Sequence, residues 1–146
     1  MFPDTIELWH SRARPNPTER DFDTQLGCHF EEICEMLDAL TFTMDGQHYE
    51  VPTLRAAVQN IANMLKSGEV QATITDRKEF ADSIGDQVVT AVGSAYCAHM
   101  KATEIVRRVN ASNWSKFDFD GKPIRNANGK IAKGPNYTPP DLEGTY

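Results

Sequence analysis

From Leu26 to Leu40 the large apolar residues recur at spacings of three and four: Leu26, Phe30, Ile33, Leu37 and Leu40. That period fits the turn of an α-helix and not the alternation of a strand, so a core-facing helix is predicted over about Asp21 to Leu40. Placing successive residues about 100° apart sets Phe30, Ile33, Cys34 and Leu37 on one side. Glu31, Glu35 and Asp38 fall on another, with Glu32 beyond them. Like charges at i, i+1 and i+4 weaken a helix by a few tenths of a kcal/mol per pair. The triplet Glu31, Glu32 and Glu35 therefore asks for a compensating cation, and oxygen-seeking ions such as Mg²⁺ supply one. For a single triplet, a solvated acidic face is the simpler account.

The helical pattern returns three times. Pro52 precedes a second helix, Thr53 to Lys66, with Leu54, Val58, Ile61, Ala62 and Leu65 on its inner face and Ser67-Gly68 as its stop. A third runs from about Asp76 to Ala98 and a fourth from about Lys101 to Phe117, with Met100-Lys101 either a continuous run or a kink. The opening stretch, 1–19, is broken by Pro3, Pro15 and Pro17; Ile6 to His10 reads as a short helix or turn in an arm lying over the body. The tail, 118–146, is a second arm. Its Asp-Gly and Asn-Gly steps around Ile124 and Ile131 suit a small β-hairpin, and Pro135 to Pro140 is extended. With no strong strand signal in the body, the expected fold is all-α: a bundle of four main helices in one domain spanning 1–146.

Composition sets the class. The chain has 146 residues, 40% hydrophobic and 25% charged, which suits a soluble globular domain. A net charge of -6 and a pI near 5.1 exclude a protein that coats nucleic acid, because there is no basic stripe to neutralise phosphates. A nucleotide substrate remains compatible, since metal ions can meet its charge. Cys28, Cys34 and Cys97 form no CxxC pair, and His10, His29, His48 and His99 show no zinc spacing. Reduced cysteines, no basic-then-apolar leader and no apolar run near ~20 residues lead to the expectation of a soluble, cytoplasmic protein.

The third helix carries a second acidic stripe: Glu79, Asp82 and Asp86 at i, i+3 and i+7. Its other face, Ile84, Val88, Ala91, Val92 and Ala95, is expected in the core. Gly85 costs ~1 kcal/mol of helix stability relative to Ala and lets a helix or ligand approach closely. Two core-packed helices with aligned acids are a known way to build a metal site in a bundle. Hard cations choose carboxylates, so two or three Mg²⁺ or Mn²⁺ ions are expected, bridging phosphate oxygens and activating water for in-line attack.

These residues resemble the MazG-like all-α nucleoside triphosphate pyrophosphohydrolases, which carry EExxE on one helix and ExxD on a later one. Glu31-Glu32-Ile-Cys-Glu35 matches the first motif. Glu79-Phe-Ala-Asp82 matches the second literally, whereas Ile84-Gly-Asp86-Gln-Val-Val resembles the family's Gly-Asp-apolar continuation, with Ser83 where Glu is expected. The ligand pair is thus either Glu79 with Asp82 or Asp82 with Asp86. Gly93 stands where the family often has Asn. The resemblance extends to Trp9-His-Ser-Arg-Ala-Arg-Pro, to Asp23 through Glu32, to Val109 through Phe117 and to Gly129 through Leu142, all similar to phage members of the MazZ type. It implies Mg²⁺ or Mn²⁺ held by Glu31, Glu32, Glu35, Asp82, Asp86 or Glu79, with cleavage between the α- and β-phosphates. It further implies dGTP or GTP as substrate, supply of 2-aminoadenine precursor for phage DNA, and assembly as a dimer or tetramer.

Other side chains complete the expected site. Lys116 and Lys133 are candidates for phosphate oxygens, Asn113 for sugar or phosphate, and Trp9 and Tyr137 for a base or lid. Each has a plainer role as a solvated lysine, a helix-end cap or a packing anchor. Asn110 is a lesser candidate; His10 and His29 read as packing residues, and Arg107 and Arg108 as surface or subunit-contact charges. No histidine base is needed where metal-bound hydroxide, helped by Glu32 or Glu35, supplies the nucleophile. The rival readings are hydrolysis of dUTP or phosphoribosyl-ATP, or a helical interaction protein whose acidic faces meet a basic partner.

Overall fold

The computed structural model describes the backbone of residues 2–146 and the side chains of residues 5–146. The chain is mostly helical: α1 (Phe2–Ala13), α2 (Glu19–Asp38), α3 (Pro52–Ser67), α4 (Arg77–Cys97) and α5 (Ala102–Trp114). Strands β1 (Phe42–Met44) and β2 (Gln47–Tyr49) join α2 to α3. Two compact units result, one from 17–72 with 126–130, the other from 1–16, 73–125 and 131–146.

The first unit is a helical hairpin. Thr18 and Asp21 form a capping box that starts α2, worth about 1 kcal/mol. Helices α2 and α3 run antiparallel: Asp38 meets Arg55 at one end, and Arg20 reaches the carbonyls of Leu65 and Lys66 at the other. Those carbonyls belong to the last turn of α3, so Arg20 acts as a C-terminal cap beside Gly68, which is left-handed at φ 85° and itself donates to the Leu65 carbonyl. Where the helices cross, Gly27 is buried, and a Cβ there would stand 2.8 Å from the Ala62 carbonyl oxygen. Cys34, Ala62 and Leu65 are buried, while Phe30, Ile33 and Leu37 are only half-buried and Leu40 and Leu54 are exposed. Buried Asp23 accepts the Ala72 N–H at 2.8 Å, and Thr24 Oγ1 donates to the carbonyl of Asn128 at 3.2 Å.

The β-hairpin corrects the expectation of a strandless body. Phe42 pairs with Tyr49 and Met44 with Gln47, around a two-residue turn with Asp45 at φ 52° and Gly46 at φ 77°. Two successive positive φ values are what a tight hairpin of this twist requires.

In the second unit α1 corrects the reading of an arm laid over the body. It is a twelve-residue helix, and its Trp9 and Ala13 form the core with Phe117 and Ile131, with Trp114 packed against them. Arg125 Nη2 donates to the carbonyl of Ala13 at 3.0 Å. The tail is pinned along α5: Ser112 Oγ donates to the Thr138 carbonyl at 2.7 Å, and the Lys101 N–H to the Thr145 carbonyl at 2.8 Å. The expected tail hairpin reduces to one antiparallel bridge, Arg125 with Ile131. Between α4 and α5 the chain breaks, with His99 left-handed at φ 61°. Helix α4 has no buried residue. Ile84, Val88 and Val92 are 38%, 49% and 37% exposed, which corrects their assignment to the core. Among the described residues no helix is long and apolar enough to cross a membrane.

Candidate functional site

The acidic triplet occupies one turn of α2, with Glu31 half-buried and Glu32 and Glu35 exposed. The apolar stripe that packs α2 on α3 turns these carboxylates away from the core. Glu31 is served by two cations: Lys66 Nζ lies 2.7 Å from Oε1 and Lys130 Nζ 3.2 Å from Oε2. The hydrogen bond from Lys66 foremost, working against partial burial, and then Lys130 hold the Glu31 carboxyl below the usual range. Lys66 comes from the last turn of α3 and Lys130 from the 126–130 segment. Neither lysine carries a sequence signal for this contact, because the pairing depends on the tertiary meeting of distant segments.

The depressed Glu31 value fixes a sign. A carboxyl more acidic in the folded than in the unfolded chain adds stability that is complete above its ordinary value of 4.5. That contribution is lost as pH falls through the lower folded value. Lys66→Met should therefore cost about 1 kcal/mol at neutral pH and flatten the acid-side loss of stability below pH 4.5. Urea melts of wild type and variant at neutral and acidic pH check this; parallel curves would refute the pairing.

Glu79, Asp82 and Asp86 all lie exposed on α4, in the other unit, and Asp76 caps that helix by accepting the N–H groups of Lys78 and Glu79, each at 3.0 Å. Space around Gly85 is open. Among the described residues no three His, Cys, Asp or Glu side chains gather closely enough to hold a metal ion. The carboxylates of the α2 triplet are oxygen donors of the kind hard cations take, and both oxygens of Glu31 are already engaged by lysines.

The expected nucleotide-binding residues share the α4-containing unit. Lys116 Nζ donates to Asn113 Oδ1 at 2.7 Å, and Lys133 Nζ stands 4.6 Å from the centre of the Tyr137 ring. The Gly134 N–H donates to the Lys116 carbonyl at 2.9 Å and joins these two pairs. A Cβ at Gly134 would collide with that carbonyl oxygen, so glycine is what allows the two segments to meet. Trp9 is 6% exposed and stacks on Phe117 at 5.7 Å, so its surroundings are those of a packing anchor rather than an open stacking face. His10 packs edge-on against Trp9, and burial first, then the charge of Arg14, lowers its pKa. Asn110 bonds Thr5 at 3.1 Å. Arg107 and Arg108 both grip Glu104, whose carboxyl is pulled down to about 2 by hydrogen bonds from Arg107 and then Arg108.

Compared with known proteins, the chain matches no family model, no curated protein and no solved structure.

Proposed function

We propose that this chain is a metal-dependent nucleoside triphosphate diphosphohydrolase of MazG-like type, releasing a nucleoside monophosphate and pyrophosphate. The observation that carries the reading is the α2 triplet: three carboxylates on one turn, one of them held ionised between two lysines. Glu31, Glu32 and Glu35 would hold Mg²⁺ or Mn²⁺. When bound, such ions neutralise phosphate charge and lower the pKa of water. The chain's own part is to fix the carboxylates on a packed helix and to present lysines to the phosphates. Lys66 and Lys130 stand beside Glu31 in the same unit. The favoured substrate is a purine triphosphate, dGTP or GTP, which suits supply of 2-aminoadenine precursor in a phage nucleotide pool.

The test is a panel of eight ribo- and deoxyribonucleoside triphosphates with Mg²⁺ or Mn²⁺, products resolved by chromatography. Monophosphate and pyrophosphate from dGTP support the reading. Absence of hydrolysis across the panel, with phosphoribosyl-ATP included, overturns it in favour of a helical interaction protein with acidic faces.

The same reading includes a homo-oligomer, a dimer or tetramer. The uncovered face of α4 supports it: Ile84, Val88, Val89 and Val92 are exposed along one helix, and contiguous apolar patches of this kind mark contact surfaces. Val88→Asp, which places a charge in that face, should lower the mass measured by light scattering after size exclusion. An oligomer of unchanged mass would remove α4 from the contact.

A further inference from the structure

The tail holds the same turn twice. Asp118-Phe-Asp-Gly-Lys122 and Asn126-Ala-Asn-Gly-Lys130 lie eight residues apart in the sequence. In each, Oδ1 of the first residue accepts two backbone N–H groups. Asp118 takes those of Asp120 at 2.9 Å and Lys122 at 2.8 Å, and Asn126 those of Asn128 and Lys130, each at 3.0 Å. The glycine N–H donates to the carbonyl of that first residue, and the glycine is left-handed, Gly121 at φ 72° and Gly129 at φ 78°. The side chain of the third residue takes no part in these bonds. It is a carboxylate, Asp120, in the first turn and an amide, Asn128, in the second, and both are exposed.

Asn128-Gly129 is the only Asn-Gly step in the chain, and asparagine is among the chemically labile residues. Glycine has no Cβ to shield its nitrogen, and a Cβ at Gly129 would meet nothing within 4 Å. Asn126, by contrast, precedes Ala127 and has its side-chain oxygen held by the turn. The loop is tied to α2 at two points: the Asn128 carbonyl accepts the Thr24 hydroxyl at 3.2 Å, and Lys130 Nζ lies 3.2 Å from Glu31 Oε2. While these ties hold, the Gly129 N–H stays bonded to the Asn126 carbonyl at 3.0 Å. Its nitrogen is freed to react when the loop opens locally.

We propose that Asn128 is a site of spontaneous deamidation, and that its conversion to an acid releases the 126–130 loop from α2. The Gly129 nitrogen attacks Asn128 Cγ. A C–N bond forms, and the side-chain nitrogen leaves as ammonia with the proton that Gly129 sheds. Water, the only co-reactant, then opens the cyclic imide. Cleavage between the Gly129 nitrogen and Cγ gives an ordinary aspartate; cleavage at the main-chain carbonyl carbon gives isoaspartate, whose backbone runs through the side chain. Asp120 shows that this turn accepts a carboxylate at its third position, so the aspartate product keeps the turn. The new charge stands two residues from Lys130 and competes with Glu31 for its ammonium. In isoaspartate the added backbone atom also displaces the carbonyl that Thr24 holds. Either product weakens the hold on α2 and draws a cation from the acidic turn. The site itself does not rest on the triphosphate-hydrolase reading.

In the experiment the full chain is incubated at neutral and mildly alkaline pH and sampled by peptide mass mapping, with isoaspartate detected by enzymatic methylation. Conversion is expected at Asn128 and at no other asparagine over the same period, faster at the higher pH. A folded chain that stays unconverted while the same chain in urea converts overturns the proposal, as does earlier loss of another asparagine. Thr24→Val, which removes the hydroxyl tie, should speed conversion several-fold; an unchanged rate overturns the role given to loop opening. Thr24 is buried, so the release is also read in Asn128→Asp, made directly. Hydrogen exchange at 126–130 should be faster than in wild type, with the NMR signals of Glu31 and Lys130 shifted. A loop as protected as in wild type overturns the release. Hydrolysis of dGTP by a chain that never converts leaves the hydrolase reading standing without this site, and conversion in a chain that hydrolyses no triphosphate does the reverse.

Discussion

Glu35→Gln is expected to lower triphosphate hydrolysis on the order of a hundredfold or more, with the fold unchanged. Glu35 is exposed on α2, so the substitution removes a charge without opening a cavity or stranding a buried partner. Gln keeps the size and the helix propensity but offers a hard cation one neutral oxygen in place of an ionised pair. The readouts are turnover with Mg²⁺ or Mn²⁺ and the metal concentration giving half-maximal rate. A variant that hydrolyses dNTPs at the wild-type rate would sink the mechanism. Binding of a basic protein partner that survives the change would point to the interaction reading instead.

Gly27→Ala should have the larger effect on stability. An added methyl would meet the Ala62 carbonyl oxygen and Lys66 Cγ, each at 2.8 Å, and Leu65 Cβ at 3.3 Å. The Lys66 stem can move, but the carbonyl belongs to the backbone of α3, so the helices must separate. Alanine would ordinarily gain about 1 kcal/mol over glycine inside a helix. Overpacking against backbone outweighs that gain, for a net loss of roughly 1–3 kcal/mol. Thermal unfolding followed by circular dichroism should show a midpoint lower by several degrees. A midpoint equal to or above wild type would mean that α2 and α3 do not cross at Gly27.

Much of this architecture was legible in the residues, and the failures have physical causes. The three-and-four spacing placed α2, α3, α4 and α5 within a few residues, and Ser67-Gly68 marked the end of α3 because a helix stop is local chemistry. Helix α1 was read only as a short helix or turn at Ile6 to His10, because Pro3 in its first turn and Pro15 and Pro17 beyond its end look like breaks. Strands β1 and β2 were hidden because each is only three residues long, too short for an alternation to stand out, and Gln47 and His48 of β2 are polar. For α4 the period gave the right helix and the wrong burial. Periodicity tells which face is apolar but not whether anything covers it. At the candidate site, the position of the triplet on α2 followed from the spacing, as did the place of Asp38 on its flank. Lys66 and Lys130 did not, nor did the fork from Arg55, since each depends on segments that meet only after folding.

The 126–130 segment has a consequence for how the molecule is made. It belongs to the α2–α3 unit, yet all of α4 and α5 is synthesised between Ala72 and Asn126. As the chain emerges residue by residue, the helical hairpin exists first without the loop that Thr24 holds and without the second lysine of Glu31. Closing so long an excursion carries an entropic cost that grows only slowly with its length. Completion of this unit thus waits on α4 and α5, and the acidic turn of α2 acquires its full complement of charge only after both have been translated.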